Sequence, residues 1–128
     1  MAASTSQGIE KKFVGNPVDI GKSANHYGDT LMAGEEVHLE YKGVRDAAVF
    51  TDMRLIIIDP QGLRGKKVAL VSIPWKNVSA FSVENSGTFD LDAELKLWGS
   101  GYGMCELQFA KGVDVKKINA FLCSKVLT

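Results

Sequence analysis

The spacing of apolar and polar positions changes character twice along the chain. Asn16-Pro17 reads as a helix start, with Asn as cap and Pro at the first helical position. Val18, Ile20, Ala24, Tyr27, Leu31 and Met32 then recur at roughly helical spacing. The pattern predicts a helix over residues 17–32, weakened by Gly21 and Gly28 and stopped at Gly34. From residue 37 the texture becomes short β-branched and aromatic runs cut by turn residues. Strands are predicted at 37–43, 46–51, 54–59, 68–73, 78–84, 88–98 and 104–110, with glycine turns at 61–67 and 99–103. The clearest is Phe89–Leu97, where Phe89, Leu91, Ala93, Leu95 and Leu97 alternate with Asp90, Asp92, Glu94 and Lys96. After residue 113 the period returns to that of a helix. Asp114 is a cap, and Val115, Ile118, Leu122 and Val126 share one face of a helix over 114–127. Seven strands at short intervals point to an antiparallel sandwich or barrel rather than βαβ units.

Composition narrows the class. The 128 residues suit one domain, with 45% hydrophobic residues enough for a packed core. Residues 1–15 are small and polar and read as a flexible leader, with a single domain over 16–128. Lys plus Arg and Asp plus Glu both number 15, so the net charge is zero. Nucleic acid is therefore not an expected partner, since proteins held by phosphate attraction carry a basic excess. Cys105 and Cys123 have no metal or redox spacing and read as reduced thiols. With no secretory leader and no apolar run long enough to cross a bilayer, the expected place is the cytoplasm.

Three features invite chemistry. Side chains two apart on a strand lie about 6.5–7 Å from one another on one face, which makes Asp90, Asp92 and Glu94 an acidic row. A carboxylate pair at such a gap suits an inverting glycosidase, but no hydrolase signature accompanies it. A straight strand also spreads its carboxylates too far to wrap a cation. A solvated or salt-bridged face is the simplest reading. Arg45, Arg54, Arg64, Lys66 and Lys67 are the compensating bases, within the chain or on another copy. The second feature is the loop "QGLRGKK", residues 61–67, whose Arg64, Lys66 and Lys67 suit an anion; it is not a Walker loop, since it leads into a strand. The third is the tryptophan pair. Trp98 ends the acidic strand on its polar side and is a candidate contact residue, whereas Trp75 is expected to pack as core or lid. Tyr102, His26 and His38 are weaker candidates, read as ordinary packing or partnered polar groups.

The run "RDAAVFTDMRLIIIDPQGLRGKK", the step "SIPW" and the block "FSVENSGTFDLDAELK" together resemble the bacterial pleckstrin-homology (PH) domain family over about residues 31–125. The resemblance implies a mainly β fold: a PH-like seven-stranded antiparallel sandwich or partly open barrel, capped by a C-terminal helix, with an N-terminal helix added. It implies no enzymatic activity, in line with a sequence that offers no nucleophile–base pair, metal cluster or cofactor loop. It also implies assembly into ring-shaped homo-oligomers, often pentamers. On that basis the acidic row, with Asp90, Asp92, Glu94, Trp98, Arg45 and Arg54, is the expected subunit contact. The partner is then the chain itself, together with a protein or peptide. The alternative is a peripheral binder of anionic phospholipid or a phosphorylated small ligand through Arg64, Lys66 and Lys67. The lipid loop of eukaryotic PH domains corresponds here to "YKGVRD", which carries only Lys42 and Arg45.

Overall fold

The computed structural model describes residues 9–60, 68–85 and 91–128. Eight strands form one sheet: β1 (Lys12–Pro17), β2 (Val37–Lys42), β3 (Ala47–Thr51), β4 (Arg54–Pro60), β5 (Val68–Pro74), β6 (Val78–Asn85), β7 (Leu91–Gly99) and β8 (Gly103–Ala110). Helix α1 (Ala24–Tyr27) precedes β2, and helix α2 (Val115–Val126) follows β8. The order across the sheet is β5-β4-β3-β2-β1-β8-β7-β6, and the sheet is not closed. Seven strands and the C-terminal helix fall within one residue of their predicted boundaries, apart from the start of β7, where 88–90 lie outside the described residues.

The region before residue 37 departs from the expected helix over 17–32. Residues 12–17 instead form β1, taking in residues 12–15 of the expected leader. Only Ala24–Tyr27 is α-helical, followed by a 3-10 turn at Gly28–Thr30. Gly21 sits at φ 102°, which no helix permits. Ile20 and Met32, counted on the apolar face of the expected helix, are 58% and 60% exposed.

Strand β1 joins the two halves of the sheet. Its first residues run parallel to β8, with Lys12 beside Leu107 and Phe13 beside Gln108. Its last residues run antiparallel to β2, with Asn16 beside Lys42 and Pro17 beside Tyr41. The switch occurs at Gly15, which has φ 62° and meets the backbone of Lys42 and Gly43 so closely that a Cβ would strike the Lys42 carbonyl oxygen. Gly43 returns the constraint: a Cβ there would lie 2.5 Å from the Phe13 carbonyl oxygen. Only glycine meets both demands at residue 15.

Two apolar cores result. Alternate residues Ala48, Phe50, Leu55 and Ile57 face inward and meet Leu95, Leu97, Leu107 and Phe109 from the other half. Their neighbours Ala47, Val49, Ile56 and Ile58 face the other way and are covered by Tyr27, with Ala24 and Leu31 packed beside it. β3 and β4 are therefore buried on both faces, which is why "LIII" shows no alternation. Each such side chain contributes about 2 kcal/mol by leaving water. α2 closes the inner core. Asp114 caps it by accepting from the Lys116 and Lys117 amides at 3.1 and 3.2 Å. Its Ile118 and Leu122 are fully buried, and Phe121 meets Phe50 and Trp75 edge-on at 5.9 and 5.7 Å.

The Gly15 junction predicts a sharp asymmetry between glycines. Gly15→Ala lowers stability by about 3 kcal/mol, combining strained φ with a backbone collision. Gly28→Ala, at ordinary φ and facing open space, changes it by less than about 0.5 kcal/mol. Urea unfolding followed by circular dichroism measures both.

Candidate functional site

Among the described residues, the contact residues singled out from the sequence fall into three separate places. Arg64, Lys66, Lys67 and Asp90 lie outside the described residues. Asp92 lies on β7, where its backbone alone is described. Glu94 and Trp98 share the outer face of β7 with Lys96, because Ala93, Leu95 and Leu97 point into the core. Glu94 stands between Glu84 and Gln108, and accepts a 3.4 Å hydrogen bond from the Gln108 amide. Lys96 stands between Ser82 and Glu106, and Glu106 pairs with Lys11 of the neighbouring segment at 3.7 Å. The acidic face is thus interleaved with bases and amides. Trp98 lies between Ala80 and Met104, and both Trp98 and Met104 keep over a third of their surface in water.

Arg45 is far from that face along the sheet, at the β2–β3 turn. It reaches Asp46 at 3.2 Å and Asp59 at 3.7 Å and stays half exposed. Asp59 also accepts from buried Lys12 at 2.7 Å, and this hydrogen bond leads the causes that hold its carboxyl below the ordinary range. Lys12 went unnoticed in the sequence because it sits in "EKKF", which reads as a solvated leader. Its fate is set by the inward register of β1.

Arg54, grouped with Arg45 as a contact residue, is enclosed by its own chain. Its guanidinium clamps the Glu35 carboxylate through Nε at 2.9 Å and Nη2 at 3.0 Å, and also donates to the Thr30 carbonyl and the Ser72 hydroxyl. Glu35 further accepts from the Thr51 hydroxyl at 2.7 Å and the Met32 amide at 2.9 Å, and its side chain is wholly buried. Burial alone would raise the Glu35 carboxyl, but the Arg54, Met32 and Thr51 hydrogen bonds outweigh it and bring the pKa down to about 2. A second carboxylate works in the same segment. Glu40 is 2% exposed and accepts from the Gly21 amide, the Ser23 amide and the Tyr27 hydroxyl at 2.8, 2.7 and 2.7 Å. Burial first, then these contacts with Glu40, push the Tyr27 phenol upward. Both carboxylates fasten residues 21–35 to the sheet, and neither was recognisable from spacing.

Beside the Arg54–Glu35 pair opens a cleft of about 750 Å³. The β3–β4 turn, the end of β5, the 3-10 turn Trp75–Asn77 and the end of α2 form its walls. Trp75 is a buried part of its lining, donating from Nε1 to the Thr51 carbonyl at 2.7 Å. This fulfils the expected core or lid role. His26 lies on α1, exposed. His38 lies on β2, 4.0 Å from Glu36 and with its ring 5.7 Å from that of Phe121. Tyr102 packs against the core rather than at an open loop tip.

Among the described residues no group of three or more His, Cys, Asp or Glu is placed to hold a metal ion. Both cysteines are free, and burial pushes the Cys105 thiol up to about 12, which leaves no thiolate at neutral pH. No helix among the described residues is long and apolar enough to cross a membrane.

An open β-sandwich, antiparallel except where β1 meets β8, with a capping C-terminal helix is the architecture of a PH-type domain, a class that generally binds rather than catalyses. The family model for the bacterial PH domain matches residues 9–126, and the chain belongs to that family. It is 49% identical over 98 residues to the uncharacterized protein YjqA of Bacillus subtilis (strain 168), covering 73% of this chain and 78% of that one. It is 35% identical over 92 residues to the uncharacterized protein YozO of the same organism, covering 72% and 79%. The crystal structure of a DUF1696 family protein with a pleckstrin-homology domain from Shewanella loihica PV-4 superposes with a TM-score of 0.75 at 41% identity, covering 87% of this chain and 96% of that one. A pleckstrin homology domain from Shewanella amazonensis SB2B gives 0.68 at 46% identity, covering 88% and 92%.

The Glu35 clamp has a definite pH signature. Its carboxyl sits at about 2 in the folded chain against an ordinary 4.5, so its contribution is complete above pH 4.5 and disappears as pH falls towards 2. Glu35→Gln leaves Arg54 without its charge partner and costs roughly 3 kcal/mol at pH 7. The deficit shrinks at pH 3, as urea midpoints at the two pH values will show.

Proposed function

We propose that this chain is a non-enzymatic binding and scaffold module of the cytoplasm. In this reading it assembles into a ring of identical subunits, pentamer-like, and presents repeated surfaces to a protein or peptide partner. The observation that carries the proposal is the charge content of the two outer strands. β5 and β6 bound the sheet. β5 reads VALVSIP, without a charged residue, and β6 reads VSAFSVEN, with Glu84 alone. Monomeric proteins usually guard such edges with lysine, proline or a bulge, because unpaired backbone amides and carbonyls recruit another strand. The single proline of β5 stands at its end, so the preceding six residues of the strand hold neither proline nor charge, and the register irregularity of β6 is confined to its start at Val78–Ala80.

The two edges differ in sequence, so a contact of β5 with β6 of the next copy is head-to-tail, and a head-to-tail contact that closes makes a ring. Glu94 and Trp98 lie one strand in from β6 and meet such a neighbour at its margin. Arg45, half exposed, is the more available basic counterpart, since Arg54 is held by Glu35 within its own chain. Repetition around a ring multiplies weak partner contacts through effective concentration.

Light scattering after size-exclusion chromatography tests the assembly. The expected mass is several times the 13.9 kDa of one chain. A Val68→Lys, Ala69→Lys variant, which places guards on the β5 edge, is expected to run as a single chain with unchanged circular dichroism. A monomeric parent protein, or a double variant that keeps the full mass, rejects the proposed contact.

A further inference from the structure

The cleft beside Arg54 has a chemistry that the assembly reading does not use. Its size lies within the roughly 300–1,000 Å³ typical of small-molecule sites. Most of its polar groups are already spent. Glu35 accepts four hydrogen bonds, and Arg54 has donated four of the five N–H groups a guanidinium carries. The Trp75 indole N–H is spent on Thr51, so the ring offers the cleft only carbon. The Asp52 carboxylate accepts from the Glu36 amide at 2.9 Å through Oδ1 alone, so its charge is an acidic feature the two lysines must outweigh.

What is left for a ligand is of two kinds. Met32, Met53, Pro74 and Val126 supply apolar lining, and the two methionines are 60% and 44% exposed. Methionine adapts its shape to an occupant more readily than branched side chains do. Lys76 and Lys125 supply positive charge, one from the turn after β5 and one from the last turn of α2. Neither has a carboxylate within salt-bridge distance among the described residues; Lys125 rests its ammonium 5.7 Å from the Phe121 ring centre. Apolar walls with two unpaired ammonium groups complement a molecule that has an apolar body and one negative end.

We propose that this cleft binds a small amphiphilic anion, a single acyl-type chain ending in a carboxylate, with Lys76 and Lys125 holding the head and the two methionines closing over the chain. The proposal does not depend on ring formation.

Dodecanoate, kept below its micelle concentration, is the probe. The chain has two tryptophans. Trp98→Phe therefore leaves Trp75, inside the cleft, as the reporter. The expected result is a saturable fluorescence change at one dodecanoate per chain, matched by calorimetry on the unaltered protein. Lys76→Glu, Lys125→Glu is expected to weaken binding at least tenfold while leaving the circular dichroism intact. Dodecyltrimethylammonium and acetate are expected to give no saturable change. Absence of saturation with dodecanoate, equal binding of the cationic amphiphile, or indifference to the double charge reversal overturns the proposal. So does binding confined to phosphatidylglycerol vesicles, which would make the source of the anion a membrane surface rather than a free acyl chain.

Discussion

The fold depends on one strand being able to belong to two ladders at once. β1 is six residues long, yet among the described strands it alone joins β2 to β8 in the sheet order. A strand in regular geometry keeps one twist and one pairing direction. β1 changes partner geometry midway, and the change requires its backbone to come nearer to Lys42 and Gly43 than any side chain permits. Without that close approach the two halves have no common ladder, and their apolar faces no longer meet. The inner core from Phe50 to Phe109 is thus a consequence of sterics at two glycines as much as of hydrophobicity.

The second organising element is the segment from Val18 to Glu36, which covers the outer face of β3 and β4. Its own helical content is slight, and two carboxylates fasten it. Glu40 reaches out from β2 to the amides of residues 21 and 23, and Glu35 reaches in from the segment to Arg54 and Thr51. Buried carboxylates are costly unless every lone pair is used. Here three or four donors converge on each, which turns a liability into a fixed register. The cost of desolvating these groups is met by charge-assisted hydrogen bonds, while the stabilisation comes from Tyr27, Leu31 and the isoleucines beneath them.

Much of the sandwich was legible because period-two alternation, as in Ala93 to Leu97, records which face meets the core. The run Leu55 to Ile58 was legible as a strand but not as one covered on both sides, since a continuous apolar run does not name its covers. The segment from 17 to 32 misled because Asn-Pro and a loose apolar spacing satisfy a helix template locally. The template does not see that Pro17 can end a strand, nor that Gly21 must adopt positive φ. Trp98 was placed on the outer face by counting, and the count held because β7 has no bulge between Ala93 and Gly99. Arg54 could not be assigned from spacing, because its partner Glu35 is nineteen residues away with β2 and β3 between them. Of the acidic row only Glu94 is described with its side chain, and its setting beside Gln108 and Lys96 required the neighbouring strands.

The covering segment and the sandwich are built from contacts of different range. Glu40, Tyr27 and Ser23 lie within seventeen residues of one another, whereas β1 finds β8 only after nearly the whole chain has passed. Proteins open in units whose free energies differ, and units closed by short loops re-form without waiting for the rest. On that basis the cover is expected to open at a lower free energy than the sandwich, and amides in residues 21–35 to exchange with solvent ahead of those over the inner core.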